Sequence, residues 1–197
     1  MRDWLSMLAV AGVLALAATG CAGPPTGSGG TPRQTSAAPA TSVTALPPRP
    51  REIDLIGVDT CTLLTTEQQR QLGTDRPPGL SNYPDRYGNQ SCSYGKSLSS
   101  PRFGYSVKVV TQEDATVYLT GERDVTARVV LVAGFPAVEN RRPTDERGCF
   151  VDVSTKDGQY LSVQYAESTG SNDTAEVACE KARVAAELAM LTLLTQR

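Results

Sequence analysis

The hydrophobic pattern divides the chain into three stretches. From Trp4 to Ala18 nearly every position is apolar. From Ala22 to about Arg51 almost none is, and Gly, Pro, Ser, Thr and Ala fill the stretch. From Ile53 onward, apolar and polar positions alternate in blocks whose period changes along the chain. A period of two marks a half-buried strand and a period of 3.6 marks a helix.

Ile53 to Val58 reads as a short strand or an extended lead-in. Thr65 with Gln68 forms a capping box, Leu64 is placed as a staple and Gly73 as a stop, which predicts a short helix over Thr66–Leu72 just after Cys61. Residues 74–90 are rich in Pro, Gly, Asn and Asp and read as a long loop, in which Tyr83, Asp85, Arg86 and Tyr87 are a candidate contact surface. Strands are expected over Ser91–Gly95, Phe103–Val110, Arg128–Val132, Gly134–Val138, Gly148–Ser154 and Gln159–Tyr165. The last two meet at Asp157–Gly158, a strong hairpin signal. In the second arm Tyr160, Ser162 and Gln164 share one face, and Leu161, Val163 and Tyr165 share the other. A short helix is expected between Gln112 and Arg123.

The C-terminal stretch reads as a long helix. Asp173 and Glu176 have the spacing of a capping box, Val177, Val184, Leu188 and Leu191 form the expected core stripe, and Arg183 and Glu187 form an outer i,i+4 pair. The fold class is therefore α+β: a single domain over residues 53–197, with an antiparallel sheet of about four to six strands. A short N-terminal helix and a long C-terminal helix packed on one face complete it.

The first stretch reads as a secretory signal over residues 1–20. Arg2 supplies positive charge, the apolar run is shorter than the roughly 20 residues of a membrane span, and Thr19 and Gly20 are small residues ahead of Cys21. A cysteine in that place is the pattern of lipoprotein processing, so Cys21 is the expected lipid attachment site. Two or more acyl chains, at about 0.8 kcal/mol per buried methylene, hold a protein on a bilayer. The expected location is the extracytoplasmic face of the cell membrane. Residues 21–52 then form a disordered tether, because they hold too little apolar surface to offset ordering entropy.

Composition narrows the chemistry. The net charge is -2 and no basic stripe is present, which argues against a nucleic-acid partner. Histidine is absent, which removes Ser-His-Asp and Cys-His catalysis and His-based zinc sites. Carboxylate and Ser-Lys chemistries remain open, but no catalytic, cofactor-binding or metal-binding residue is assigned. After Cys21, Cys61, Cys92, Cys149 and Cys179 are an even set in an exported domain and read as disulfides. Three pairings are open. The local pairs Cys61–Cys92 and Cys149–Cys179 are favoured, each closing a loop of about 30 residues worth about 3–4 kcal/mol on the chain-entropy model.

Among the charged groups, Asp59 is read as a turn cap. The pairs Glu113–Asp114 and Asp145–Glu146 lack calcium-loop spacing and read as solvated loop charge. Arg141, Arg142 and Arg147 form a small basic cluster that suits an anionic group, or else a solvated loop. The expected role is a binding or interaction module at the cell envelope. Its partners would be membrane lipid through Cys21 and an envelope protein, wall polymer or small ligand. The alternatives are a carboxylate-dependent hydrolase and an accessory subunit of an envelope complex.

Several motifs together carry a resemblance. The signal, the Pro/Ser/Thr stalk, Asp59-x-Cys61-x-Leu63-Leu64-Thr65 ahead of a helix ending in Leu72-Gly73, and Cys92-Ser-Tyr94 resemble small actinobacterial lipoproteins related to LprB and LprC. Gly134-Phe-Pro-Ala-Val138 and the Cys149 strand fit as well, so the resemblance covers residues 53–194. That group is a domain of unknown function. The resemblance implies lipidation at Cys21 and the pairing Cys61–Cys92, and it implies no activity. The family pattern often has proline after the aspartate and tryptophan after the second cysteine, where this chain has Thr60 and Tyr94.

Overall fold

The structure is a computed structural model that describes residues 45–197, except Glu146 and Ser171. All of them belong to one compact unit. The expected signal, Cys21 and most of the expected tether lie outside the described residues.

Asp59 accepts a hydrogen bond from the Cys61 N–H at 2.9 Å and caps a 3₁₀ turn over Thr60–Thr62. The capping box forms as read: Thr65 accepts from the Gln68 N–H at 3.2 Å and Gln68 accepts from the Thr65 N–H at 2.8 Å. It starts α1, Thr66–Gln71, which ends at Gly73 with φ +72°. The strands are β1 (Gly79–Leu80), β2 (Cys92–Lys96), β3 (Arg102–Val110), β4 (Thr126–Val132), β5 (Phe135–Arg141), β6 (Gly148–Lys156) and β7 (Gln159–Thr169). A 3₁₀ turn at Ala115–Tyr118 lies between β3 and β4, and α2, Ala175–Gln196, closes the chain.

All neighbouring strands are antiparallel, in the order β1-β2-β3-β7-β6-β5-β4. The sheet therefore has seven strands rather than four to six. The six expected runs all form, and the addition is β1, inside the stretch read as a loop. Two residues carry no period, so only the pairing Gly79↔Ser93 and Leu80↔Cys92 reveals that strand.

α2 lies on β6 and β7 and covers one face of the sheet. Its buried side is Ala178, Ala182, Ala185, Ala186, Ala189, Met190 and Leu193. They share one core with Val107 from β3, Val151 and Val153 from β6, and Leu161, Val163 and Tyr165 from β7. Alanine lets the helix approach the strands closely. The disulfide Cys149–Cys179 joins the start of α2 to β6, and Cys61–Cys92 joins the first 3₁₀ turn to β2. Both favoured pairings are present.

Three readings of the last helix are corrected. The stripe expected in the core faces outward: Val177, Val184 and Leu191 are 40 %, 38 % and 48 % exposed, and only Leu188 packs against the core. The N-cap is Thr174, not Asp173. Asp173 is drawn away by the Tyr165 hydroxyl, which donates to it at 2.8 Å, and by Lys181. Arg183 pairs with Glu180 and with Glu139 of β5 rather than with Glu187.

The end of the expected tether also meets the domain. Leu46 packs near Val110, Val138 and Tyr160, and Arg49 donates to Ser154 at 2.9 Å and pairs with Asp157. Ile53 and Leu55 are buried, and the Ile53 N–H donates to the Thr155 carbonyl at 2.8 Å.

This packing separates two neighbouring helix positions. Ala185→Leu is expected to cost about 1–3 kcal/mol by overpacking the helix–sheet contact. Val184→Ala, on the outer side, should change stability by less than about 0.5 kcal/mol. Urea unfolding of both variants measures the contrast, and the opposite order would restore the buried stripe read from hydrophobicity.

Candidate functional site

Because α2 covers one face only, the alternate residues of every strand stand on the opposite face, part of which lies under the 3₁₀ turn at Ala115–Tyr118. The register arranges them in rows. The first row is Gly95, Gly104, Ala166 and Gly148. The second is Ser93, Ser106, Gln164, Phe150 and Asn140. The third is Lys108, Ser162, Asp152 and Val138. The floor thus passes from small, to hydroxyl and amide, to charged. Beyond it, Val110 and Tyr160 lie under the 3₁₀ turn that carries Tyr118.

Two depressions share Ser106 and Gln164 on this floor. One, of about 330 Å³, lies over the small row and reaches Ser97, Arg102 and Ser168. The other, of about 160 Å³, is walled by Tyr83, Pro84, Asp85 and Asn89. Tyr83 is 88 % exposed and Phe150 forms part of the floor, so aromatic surface stands on both sides of the hydroxyl row.

The wall is held by its own polar groups. Asp85 accepts from the Tyr87 and Asn89 N–H groups, each at 2.9 Å, and pairs with Lys108 of the floor at 3.0 Å. Those contacts hold the Asp85 carboxyl below its ordinary range against the opposing effect of burial. Arg86 stacks on Tyr87 and reaches Glu113. Glu113 also accepts from Arg123 at 2.8 Å, from the Tyr87 hydroxyl at 3.1 Å and from the Tyr160 hydroxyl at 2.9 Å. It is therefore the hub of an ion cluster and not solvated loop charge. Asp114 caps the 3₁₀ turn by accepting from the Thr116 N–H at 2.9 Å.

Asp152 is wholly buried in the floor. Burial pushes its carboxyl up to about 6, against the hydrogen bonds from Ser162 and Asn140 and the attraction of Lys108. The Asn140 amide donates to it at 2.7 Å. Burial likewise raises Tyr118 to about 12, and burial with the nearby Asp152 charge raises Tyr160 much further. The two tyrosines hold their protons at neutral pH, and Tyr160 donates to Glu113. The arrangement can grip an extended polar molecule, since it offers hydroxyls, an amide, two aromatic surfaces and a backbone left open by glycine.

The other residues singled out in the sequence are dispersed. Asp145 accepts from the Arg147 N–H at 3.2 Å, and Glu146 lies outside the described residues. The arginine cluster splits. Arg142 lies over the Phe150 ring at 5.9 Å, while Arg141 lines a separate cleft with Arg128, Glu139 and Glu176. Glu139, Cys149 and Cys179 stand close together, but both sulfurs are joined in a disulfide and offer no thiolate to a metal. Glu139 is occupied by Arg128, at 2.6 Å, and by Arg183, at 3.1 Å. Of the floor, the sequence pattern identified the shared face of Tyr160, Ser162 and Gln164. Ser106, Phe150 and Asp152 carried the same period-two signal but were not joined to it, because register across strands is set by pairing and not by local sequence.

The buried carboxyl gives a pH test. The Asp152 carboxyl sits near 6 in the folded chain and at the ordinary 3.8 when unfolded, so the folded state binds the proton more tightly. Its penalty is absent below about pH 4, grows as pH rises to 6 and stays at about 2–3 kcal/mol above that. The advantage of Asp152→Asn over the parent should grow across that window and persist at pH 7.5. Denaturation of both proteins at pH 4 and pH 7.5 measures it, and an unchanged difference between the two pH values would refute the assignment.

Comparison with the curated proteins and with the solved structures gives no match. One family model matches residues 16–192, most of the chain and the whole of the sheet. The chain belongs to that family, described as "Protein of unknown function (DUF3558)".

Proposed function

We propose that this protein is a lipid-anchored binding module on the extracytoplasmic face of the membrane, and that it holds an extended polar ligand of the cell envelope across the helix-free face of its sheet. The observation that carries this reading is the graded floor of Gly104, Ser106, Ser162 and Gln164 between Tyr83 and Phe150. Shallow, elongated and rich in hydroxyl and amide groups, it suits a wall-polymer segment better than an enclosed apolar molecule. On the covered face, the space between α2 and the sheet is filled by core side chains.

The anchoring part of the reading rests on Cys21 after Thr19-Gly20 and on the resemblance to actinobacterial lipoproteins of the LprB and LprC kind. Among the described residues no helix is long and apolar enough to cross a membrane. Two disulfides suit an oxidising compartment. Binding is favoured over carboxylate hydrolysis because Asp152 is sealed in the floor and Glu113 is held by two arginines and two tyrosines. Neither presents a free carboxylate to a substrate.

Two measurements test the reading. Cys21→Ala should move the protein from the membrane fraction to the soluble fraction, and mass spectrometry of the parent should show an acylated cysteine as its first residue. An unacylated amino terminus would end the anchoring claim. For the groove, soluble wall-polymer fragments should raise the melting temperature of the parent. Ser106→Tyr, which fills the shared depression from a solvent-facing position, should weaken that binding about tenfold or more. Undiminished binding by the folded variant would place the ligand elsewhere.

A further inference from the structure

The sheet has two ends, and they differ. β1 ends one side with two residues, behind Pro77–Pro78. A short edge beside proline is a poor template for another strand. β4 ends the other side with seven residues, Thr126–Val132, and pairs only with β5. Its sequence is rich in β-branched residues and has no proline, no lysine and no bulge. Its one charge, Arg128, is held by Glu139 on the helix-covered side. None of the usual protections of an edge strand is present.

The turn shows which backbone groups are free. β4 and β5 are joined by Ala133–Gly134, with φ of 48° and 81°, so Val132↔Phe135 closes a two-residue hairpin of the I′ kind. That pair exchanges hydrogen bonds, and alternation then turns the N–H and C=O of Thr126, Arg128 and Val130 toward β5 as well. Those of Ala127, Val129 and Leu131 point away from the sheet. Pro136 agrees: it sits opposite Leu131, where its missing N–H breaks no bond with β4. Among the described residues no hydrogen bond runs outward from Ala127, Val129 or Leu131. Leu131 is 66 % exposed at the same edge.

We propose that this edge pairs with the same edge of a second copy of the chain, antiparallel and centred on Val129. The choice of a second copy rests on self-complementarity. In that register Ala127 stands opposite the partner's Leu131, so small meets large on one face. Arg128 stands opposite the partner's Val130, and Thr126 opposite the partner's Val132. No charge in the strand meets a like charge. Each outward-facing residue falls in a pair that exchanges both backbone bonds. The symmetry closes after two copies, which is the isologous case. Equivalent faces lie on the same side of the joined sheet, with the cluster of Ala115, Tyr118 and Ala127 of each copy beside the seam. The pairing stands whether or not the floor binds the ligand proposed above.

The test is sedimentation velocity and amide hydrogen exchange on the full chain over a range of concentrations. A dimer should form as concentration rises. The amides of Ala127, Val129 and Leu131 should become about tenfold or more slower to exchange as it does, while Arg128 and Val130 stay protected throughout. Val129→Pro removes an outward donor and leaves the β5 ladder intact, and Leu131→Lys places a charge at the edge. Either variant, if folded, should be monomeric at the concentrations where the parent dimerises. A parent that stays monomeric overturns the proposal. So does a dimer that survives in a folded variant, or protection of the three amides that is independent of concentration, which would mean that the chain covers its own edge.

Discussion

The alanine side of α2 resting on β6 and β7 is the contact on which the rest of the structure depends. An antiparallel sheet buries one face and leaves the other free to meet water. Here α2 does most of the covering, with Ile53, Leu55, Leu63, Leu64 and Leu72 beside it in the same core, and it comes close because its buried positions are mostly Ala178, Ala182, Ala185, Ala186 and Ala189. Once that face is filled, the opposite residues of the same strands are free of that core, apart from Val110, Val138 and Tyr160, which form a small cluster of their own under the 3₁₀ turn. The rest can be serine, glycine, glutamine and lysine, and those residues make the floor.

Covalent and polar ties hold the contact in place. Cys149–Cys179 fixes the start of α2 over β6, so the helix cannot slide along the sheet. Cys61–Cys92 does the same for the first 3₁₀ turn on β2. Beside it, the buried Tyr94 hydroxyl donates to the Thr60 carbonyl at 2.7 Å. Tyrosine there supplies a hydrogen bond to a buried turn. On the far side, Arg128, Glu139 and Arg183 tie β4 and β5 to the helix.

Much of the fold was legible because period two is a strong local signal. Six strands, the Asp157–Gly158 hairpin and the Thr65–Gln68 capping box can be read along the chain, and of the three open cysteine pairings the favoured local one is the one formed. The buried side of α2 could not, and the reason is physical. Hydrophobicity favours valine and leucine over alanine, yet where α2 lies closest to the sheet most of its buried positions are alanine, with Met190 and Leu193 only near its end. The larger Val177, Val184 and Leu191 were left for the outside. The site was legible one strand at a time, in Tyr160, Ser162 and Gln164. Its extent depends on which residue of β3 and β6 falls beside each of them, and pairing across distant strands decides that. Glu113 was misread for the same reason, since its partners Arg86, Arg123 and Tyr160 come from separate segments.

The division of labour between the two faces is open to direct measurement. Backbone amide chemical shifts of the full chain can be followed as soluble wall-polymer fragments are added. Shifts clustered at Ser93, Gly104, Ser106, Ser162 and Gln164, with α2 unmoved, are the predicted result. Shifts centred on Val177, Val184 and Leu191 of α2, or none anywhere on the sheet, would contradict the account.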